Sequence, residues 1–208
     1  MVATLPRTSR DPWLSRFVHC ETLTDNAAFL VVACIDVATQ QRVFVVAADP
    51  RGPREASRAA LDRLYAAHRE PPHEVIALAI ERGEHGDVPF VVFDFPARLD
   101  FDRVLQIGLD SGRKAPYAEA DGFTTTLRDA LLASGKRIDA ETGHAICLGT
   151  FAHANVLFAA DGRHVLFGFG FNVVVYDALG RMVVRGRFFQ APEVAVGSVP
   201  TASSDIIA

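Results

Sequence analysis

Two runs of β-branched and aromatic residues, Phe29 to Ile35 and Arg42 to Ala48, flank the polar stretch Asp36 to Gln41 and predict a β-hairpin. The Pro- and Gly-containing segment from Asp49 to Pro53 breaks the chain. After it, Ala56, Ala60, Leu61, Leu64 and Tyr65 recur at helical spacing and predict one amphipathic helix from Arg54 to His68. Pro71-Pro72 ends that helix. Val75 to Glu81 reads as a strand, Gly83 to Asp87 as a turn and Pro89 to Phe95 as a further strand.

From Pro96 to Gly122 the patterning weakens, and this stretch reads as a hinge or linker. Helices are predicted from Thr125 to Ser134, stopped by Gly135, and near Ala140 to Gly149. Strands return at Asn155 to Phe158, His164 to Phe169, Asn172 to Tyr176 and Met182 to Arg187, joined by turns at Asp161-Gly162 and Asp177 to Gly180. The fold class expected is α+β.

Half of the 208 residues are apolar, enough to bury a core. The longest apolar run, Ala27 to Ile35, falls short of the ~20 residues that span a bilayer. The arginine-bearing start, Met1 to Arg16, lacks the apolar stretch of a secretory signal. A cytoplasmic protein without membrane association is therefore expected. A net charge of -4 gives no reason to expect a nucleic-acid partner. Cys20, Cys34 and Cys147 are too few and scattered for a disulfide framework or zinc site and read as core residues. Only Lys114 and Lys136 are lysines, against nineteen arginines, and both sit beside turns. Chemistry that needs a lysine on a buried strand has no candidate.

The most specific text lies near the C-terminal end. Phe189 to Val194, containing Ala191-Pro192-Glu193 and followed by Ser204-Asp205, resembles the Ala-Pro-Glu end of a protein-kinase activation segment. Upstream, Ala154 to Arg163 resembles the end of the kinase catalytic loop, and Gly168-Phe169-Gly170 falls where Asp-Phe-Gly stands. Asp36 to Val46 looks like the turn and third strand of a kinase N-lobe. Over residues 17–208 the chain thus resembles the bacterial serine/threonine protein kinases, in a degenerate and C-terminally truncated form. The resemblance implies an N-terminal tail (1–16), an N-lobe-like antiparallel sheet with one helix (17–95), a hinge (96–122) and a partial C-lobe rich in β-hairpins (123–208).

Phosphoryl transfer takes its rate from positioning nucleotide, metal and acceptor, so each missing group is costly. On this resemblance the three loop glycines are replaced by Thr24, Asn26 and Phe29. The strand lysine aligns with Val46 and its glutamate partner with Ser57, with Glu55 close by. The catalytic aspartate falls on Thr150, in a segment that lacks His-Arg-Asp character, and the metal-binding aspartate is Gly168. A glycine offers Mg²⁺ nothing beyond its carbonyl. Asn155 alone survives among the groups that would touch ATP and metal, while Glu193 and Asp205 match scaffold residues.

Simpler readings stand beside these. Asn155 serves as a residue that hydrogen-bonds nearby backbone. His144 and His153 are structural or surface residues, and no histidine pair has helical metal-motif spacing.

The sequence therefore predicts a catalytically inactive, pseudokinase-like module that binds a protein partner or a second copy of itself. No residue is assigned a catalytic, cofactor-binding or metal role. No cofactor is implied and ATP binding is not expected. The alternative is a nucleotide-binding or atypical transferase with a non-standard site.

Overall fold

The computed structural model of the chain describes residues 16–25, 29–49, 52–94, 97–112, 117–138, 143, 145–147, 155–159, 163–168, 191–196, 198–199, 201 and 203–204. The predicted hairpin forms from β2 (Phe29–Asp36) and β3 (Gln41–Ala48), paired from Phe29↔Ala48 to Asp36↔Gln41. Its turn closes because the Asp36 carboxylate accepts a hydrogen bond from the Ala38 amide at 3.0 Å. Gln40 completes the reversal in the left-handed region at φ 57°.

A strand that the hydrophobic pattern did not single out, β1 (Phe17–Asp25), pairs antiparallel with β2. Together with β4 (Ala79–His85) and β5 (Val88–Asp94) the sheet has five strands in the order β1-β2-β3-β5-β4. Arg16, just before β1, joins the two outer strands of this order across the curl of the sheet. Its guanidinium meets both Glu81 carboxylate oxygens at 2.6 Å and Asp36 Oδ2 at 2.9 Å. That contact holds the buried Asp36 carboxyl below the usual carboxylate range.

Helix α1 (Arg54–His68) matches its predicted span and buries Ser57, Ala60, Leu61, Leu64 and His68 at helical spacing. Its polar face is tied to β4 by Arg58–Glu84 and Asp62–Arg82 ion pairs at 2.6 Å. These pairs are exposed, so screening by water leaves them little net effect on stability. Burial of the opposite face, in a core with Phe29, Val31, Phe44, Val46, Val91 and Phe93, stabilises the helix more than the ion pairs do. The other face of the sheet buries a second core around Phe17, Val43, Val45, Phe90 and Val92.

β4 starts later and ends later than predicted. Val75 to Ala77 instead bond across to the second sheet: the Leu166 amide donates to Val75 O at 2.6 Å and the Ala77 amide to Leu166 O at 2.9 Å. Gly83 belongs to β4 rather than to a turn. It pairs with Phe90, whose ring fills the side-chain space, so that a Cβ at 83 would come within 2.7 Å of Phe90 Cζ. The turn is confined to Gly86 and Asp87, with Gly86 at φ 58°.

The weakly patterned stretch after β5 also holds regular structure: β6 (Ala97–Asp100), α2 (Phe101–Ser111) and the start of α3 (Tyr117–Gly135). β6 pairs with β7 (Val156–Ala159) and β7 with β8 (His164–Leu166) in a three-stranded sheet. Of the helix predicted near 140–149, the described residues 145–147 are not helical, and Ala145 forms an isolated bridge with Ile138. The short helix α4 (Pro192–Ala195) starts at the Ala-Pro-Glu motif. The strands predicted at 172–176 and 182–187 lie outside the described residues. Cys147 and Cys34 are both buried, as the core reading expects, and Cys34 is in addition disulfide-bonded, which that reading did not anticipate. Among the described residues no helix is long and apolar enough to cross a membrane.

Candidate functional site

The candidate cleft lies where the five-stranded sheet and α1 meet the sheet of β6, β7 and β8. Phe29 opens β2, and its pairing with Ala48 turns it toward the face that carries Val31, Phe44 and Val46. Phe29, Phe44 and Val46 are all 0% exposed. Leu157 of β7 belongs to the same core, and Val165 and Phe167 pack against it from the β8 side. The Phe167 ring centroid lies 4.6 Å from that of Phe44 and meets Phe93 edge-on at 5.5 Å. Apolar packing is thus continuous from the roof strands to the residue before Gly168.

The position that the kinase resemblance gives to the strand lysine, Val46, is therefore a fully buried core site packed among apolar side chains. Ser57, given to the glutamate partner, is wholly buried on α1, and among the described residues its hydroxyl has no hydrogen-bond partner. Glu55, two residues away, is exposed. Among the described residues, neither carboxylate nor amine stands between α1 and β3 at these positions.

Gly168 has φ 104°, a conformation that disfavours any residue with a Cβ. Asn155, which the resemblance matches to a metal ligand, donates from its side-chain amide to Phe167 O at 2.9 Å, while Phe167 N donates to Asn155 O at 2.8 Å. Its side chain thus clamps the end of the β7–β8 hairpin, the simpler of the two roles the sequence offered. Glu193 accepts a hydrogen bond from Ser204 Oγ at 2.5 Å, which lowers its pKa. Ser204 is itself fully buried and accepts from the Thr201 amide at 2.8 Å. Asn26, Lys114, His144, Thr150, His153 and Asp205 lie outside the described residues, as does the side chain of Thr24. Among the described residues no group of three or more His, Cys, Asp or Glu could hold a metal ion.

Three features left no distinct mark in the sequence. The aromatic plug of Phe44, Phe93 and Phe167 was readable only as strand hydrophobics. His164, half-buried at the start of β8, meets Phe123 of α3 edge-on at 5.0 Å, and its buried Nε2 has no hydrogen-bond partner among the described residues. Burial, then the charge of nearby His73, lowers its pKa. Two cavities, of about 190 and 310 Å³, flank β4 on the outer surface rather than in the cleft. The larger is lined by α1, β4 and β5, including the paired Arg58 and Glu84.

No family model matches the chain, and no curated protein matches it in sequence. Solved structures do match. One crystal structure of the Mycobacterium tuberculosis PknI kinase domain superposes with a TM-score of 0.57 at 17% identity, over 91% of this chain and 69% of that one. A second gives 0.55 at 18% identity, over 91% and 68%. The five-stranded sheet with its single helix is therefore that of a protein-kinase-like fold.

Proposed function

We propose that this protein is a catalytically inactive, kinase-like module whose role is to bind a protein partner. One observation carries the reading: the cleft where a nucleotide would lie is packed by Phe29, Phe44, Val46 and Phe167. Admitting a nucleotide there means displacing these side chains, and exposing even one large buried side chain costs about 1.5–3 kcal/mol. Apolar residues left in solvent elsewhere, such as Leu109 on α2 at 76% exposure, suit a module that works by contact.

The test is a thermal melt with ATP and Mg²⁺ alongside a labelled-phosphate transfer assay. An inactive module gives no shift and no transfer. The alternative, a nucleotide-binding or atypical transferase, gains about 2.7 kcal/mol of stability at 100 times the dissociation constant. Self-association is the other form of the same reading, and sedimentation at rising concentration separates the two. A cytoplasmic setting belongs to the proposal as well. The disulfide at Cys34 makes it testable, since a cytosol keeps most thiols reduced and a Cys34 oxidised in cell extracts would count against it.

A further inference from the structure

The end of α1 is held from a distant part of the chain. Arg137, two residues beyond α3, donates from Nη1 to the carbonyl oxygens of Ala67 at 2.8 Å and Glu70 at 2.9 Å. A helix leaves its last carbonyls without intrahelical donors, and its C-terminal end carries partial negative charge, so a guanidinium meets both needs at once. Arg69 N already serves Tyr65 O, and Arg137 serves Ala67 O in the last turn and Glu70 O just beyond it.

Arg137 is itself fixed. Its amide donates to Ser134 O at 2.9 Å, and its carbonyl accepts from the Ile146 amide at 2.9 Å. The buried Ser134 hydroxyl donates to Ile146 O at 3.0 Å. Immediately after the latched turn, Val75 and Ala77 make their two backbone bonds to Leu166. Val75 and Ile76 pack in one core with Leu127 and Ala130 of α3 and with Leu166. The segment from Ala67 to Ala77 is thus gripped at both ends by elements of the other lobe.

We propose that Arg137 is an interlobe latch that holds α1 and the following loop in one orientation, so that the two lobes move as one body without any nucleotide. The latch is independent of what fills the cleft, and its test separates from that of the proposed function because it adds no ligand.

The experiment is amide hydrogen exchange on the wild-type chain across a denaturant series. Amides of Arg69, Ala77 and Leu166 are expected to exchange only through global unfolding, with the same denaturant dependence as the β2–β3 ladder. Exchange of these amides in native conditions through a small opening, with little denaturant dependence, overturns the proposal before any variant is made. Arg137→Ala is then expected to speed exchange between Arg69 and Ala77 roughly ten- to a hundredfold, the loss of hydrogen bonds from a charged donor. The β2–β3 amides keep their rates relative to global stability, and Arg137→Lys restores part of the protection. A uniform rise across the molecule, or no change at 69–77, assigns Arg137 a general packing role and refutes the latch. Should Arg137→Ala fail to fold, the wild-type series alone decides.

Discussion

The rings of Phe44 and Phe167 lie 4.6 Å apart at 33°, one on the third strand of the roof and the other one residue before Gly168. A kinase-like cleft needs space between these two elements, and here the space is occupied by their contact. Phe44→Ala should therefore act as a core truncation, destabilising the fold by about 3–5 kcal/mol. A urea titration against wild type measures it. A loss below about 1 kcal/mol would mean that the cleft relaxes and is not a packed core.

Gly168 sets a limit on repair. At φ 104° it occupies backbone space open mainly to glycine, so Gly168→Asp, which restores the aspartate of the motif, should cost about 1–2 kcal/mol. It should leave the protein without phosphotransfer, because Val46 and Ser57 still lack the charged groups on the facing elements. Equal stability of Gly168→Asp in a denaturant titration, or gain of transfer by that single change, would contradict this expectation.

Ser57 offers the opposite sign. Its hydroxyl is buried on α1 with no partner, and an unmade hydrogen bond of that kind costs about 1–3 kcal/mol. Alanine keeps the helix and removes the orphan, with slightly better helix propensity. Ser57→Ala should therefore raise the melting temperature by several degrees. A lower melting temperature would show that the hydroxyl has a partner in solution.

Much of the architecture was written in periodicity, and the exceptions have physical causes. The β2–β3 hairpin and α1 were legible because one face of each is apolar at the right period. β1 was not, since Phe17 to Asp25 mixes Glu, Thr and His with few apolar residues and joins the sheet by pairing with β2 and through the Arg16 contact. β4 was misplaced because Val75 to Ala77 look like a strand but make their backbone bonds with Leu166, 89 to 91 positions away in sequence. Gly83 read as a turn residue, whereas Phe90 on the paired strand gives it a place inside the sheet. The absence of a charged side chain at Val46 and Gly168, the positions that the resemblance gives to charged groups, was legible from the sequence alone. That the rings of Phe44 and Phe167 meet beside these positions was not, because contact between residues 44 and 167 is a property of tertiary packing alone.

His164 makes the fold sensitive to mild acid. Its ring is half-buried against Phe123, Nε2 has no acceptor to receive a proton's hydrogen bond, and His73 adds like charge, so the folded pKa lies below the ordinary histidine value. The unfolded chain therefore binds a proton more readily than the folded one. This contribution to stability is complete above pH ~6.5 and is lost as pH falls from there toward the folded pKa, below which the loss is constant. Replacing the ring by one that cannot titrate, His164→Phe, should flatten the stability profile in that window while leaving the loss at lower pH that comes from protonating Asp36. Denaturant titrations at half-unit pH steps read the slope directly. A wild-type slope of zero just below pH ~6.5, or an unchanged slope in His164→Phe, would place the relevant proton on another group.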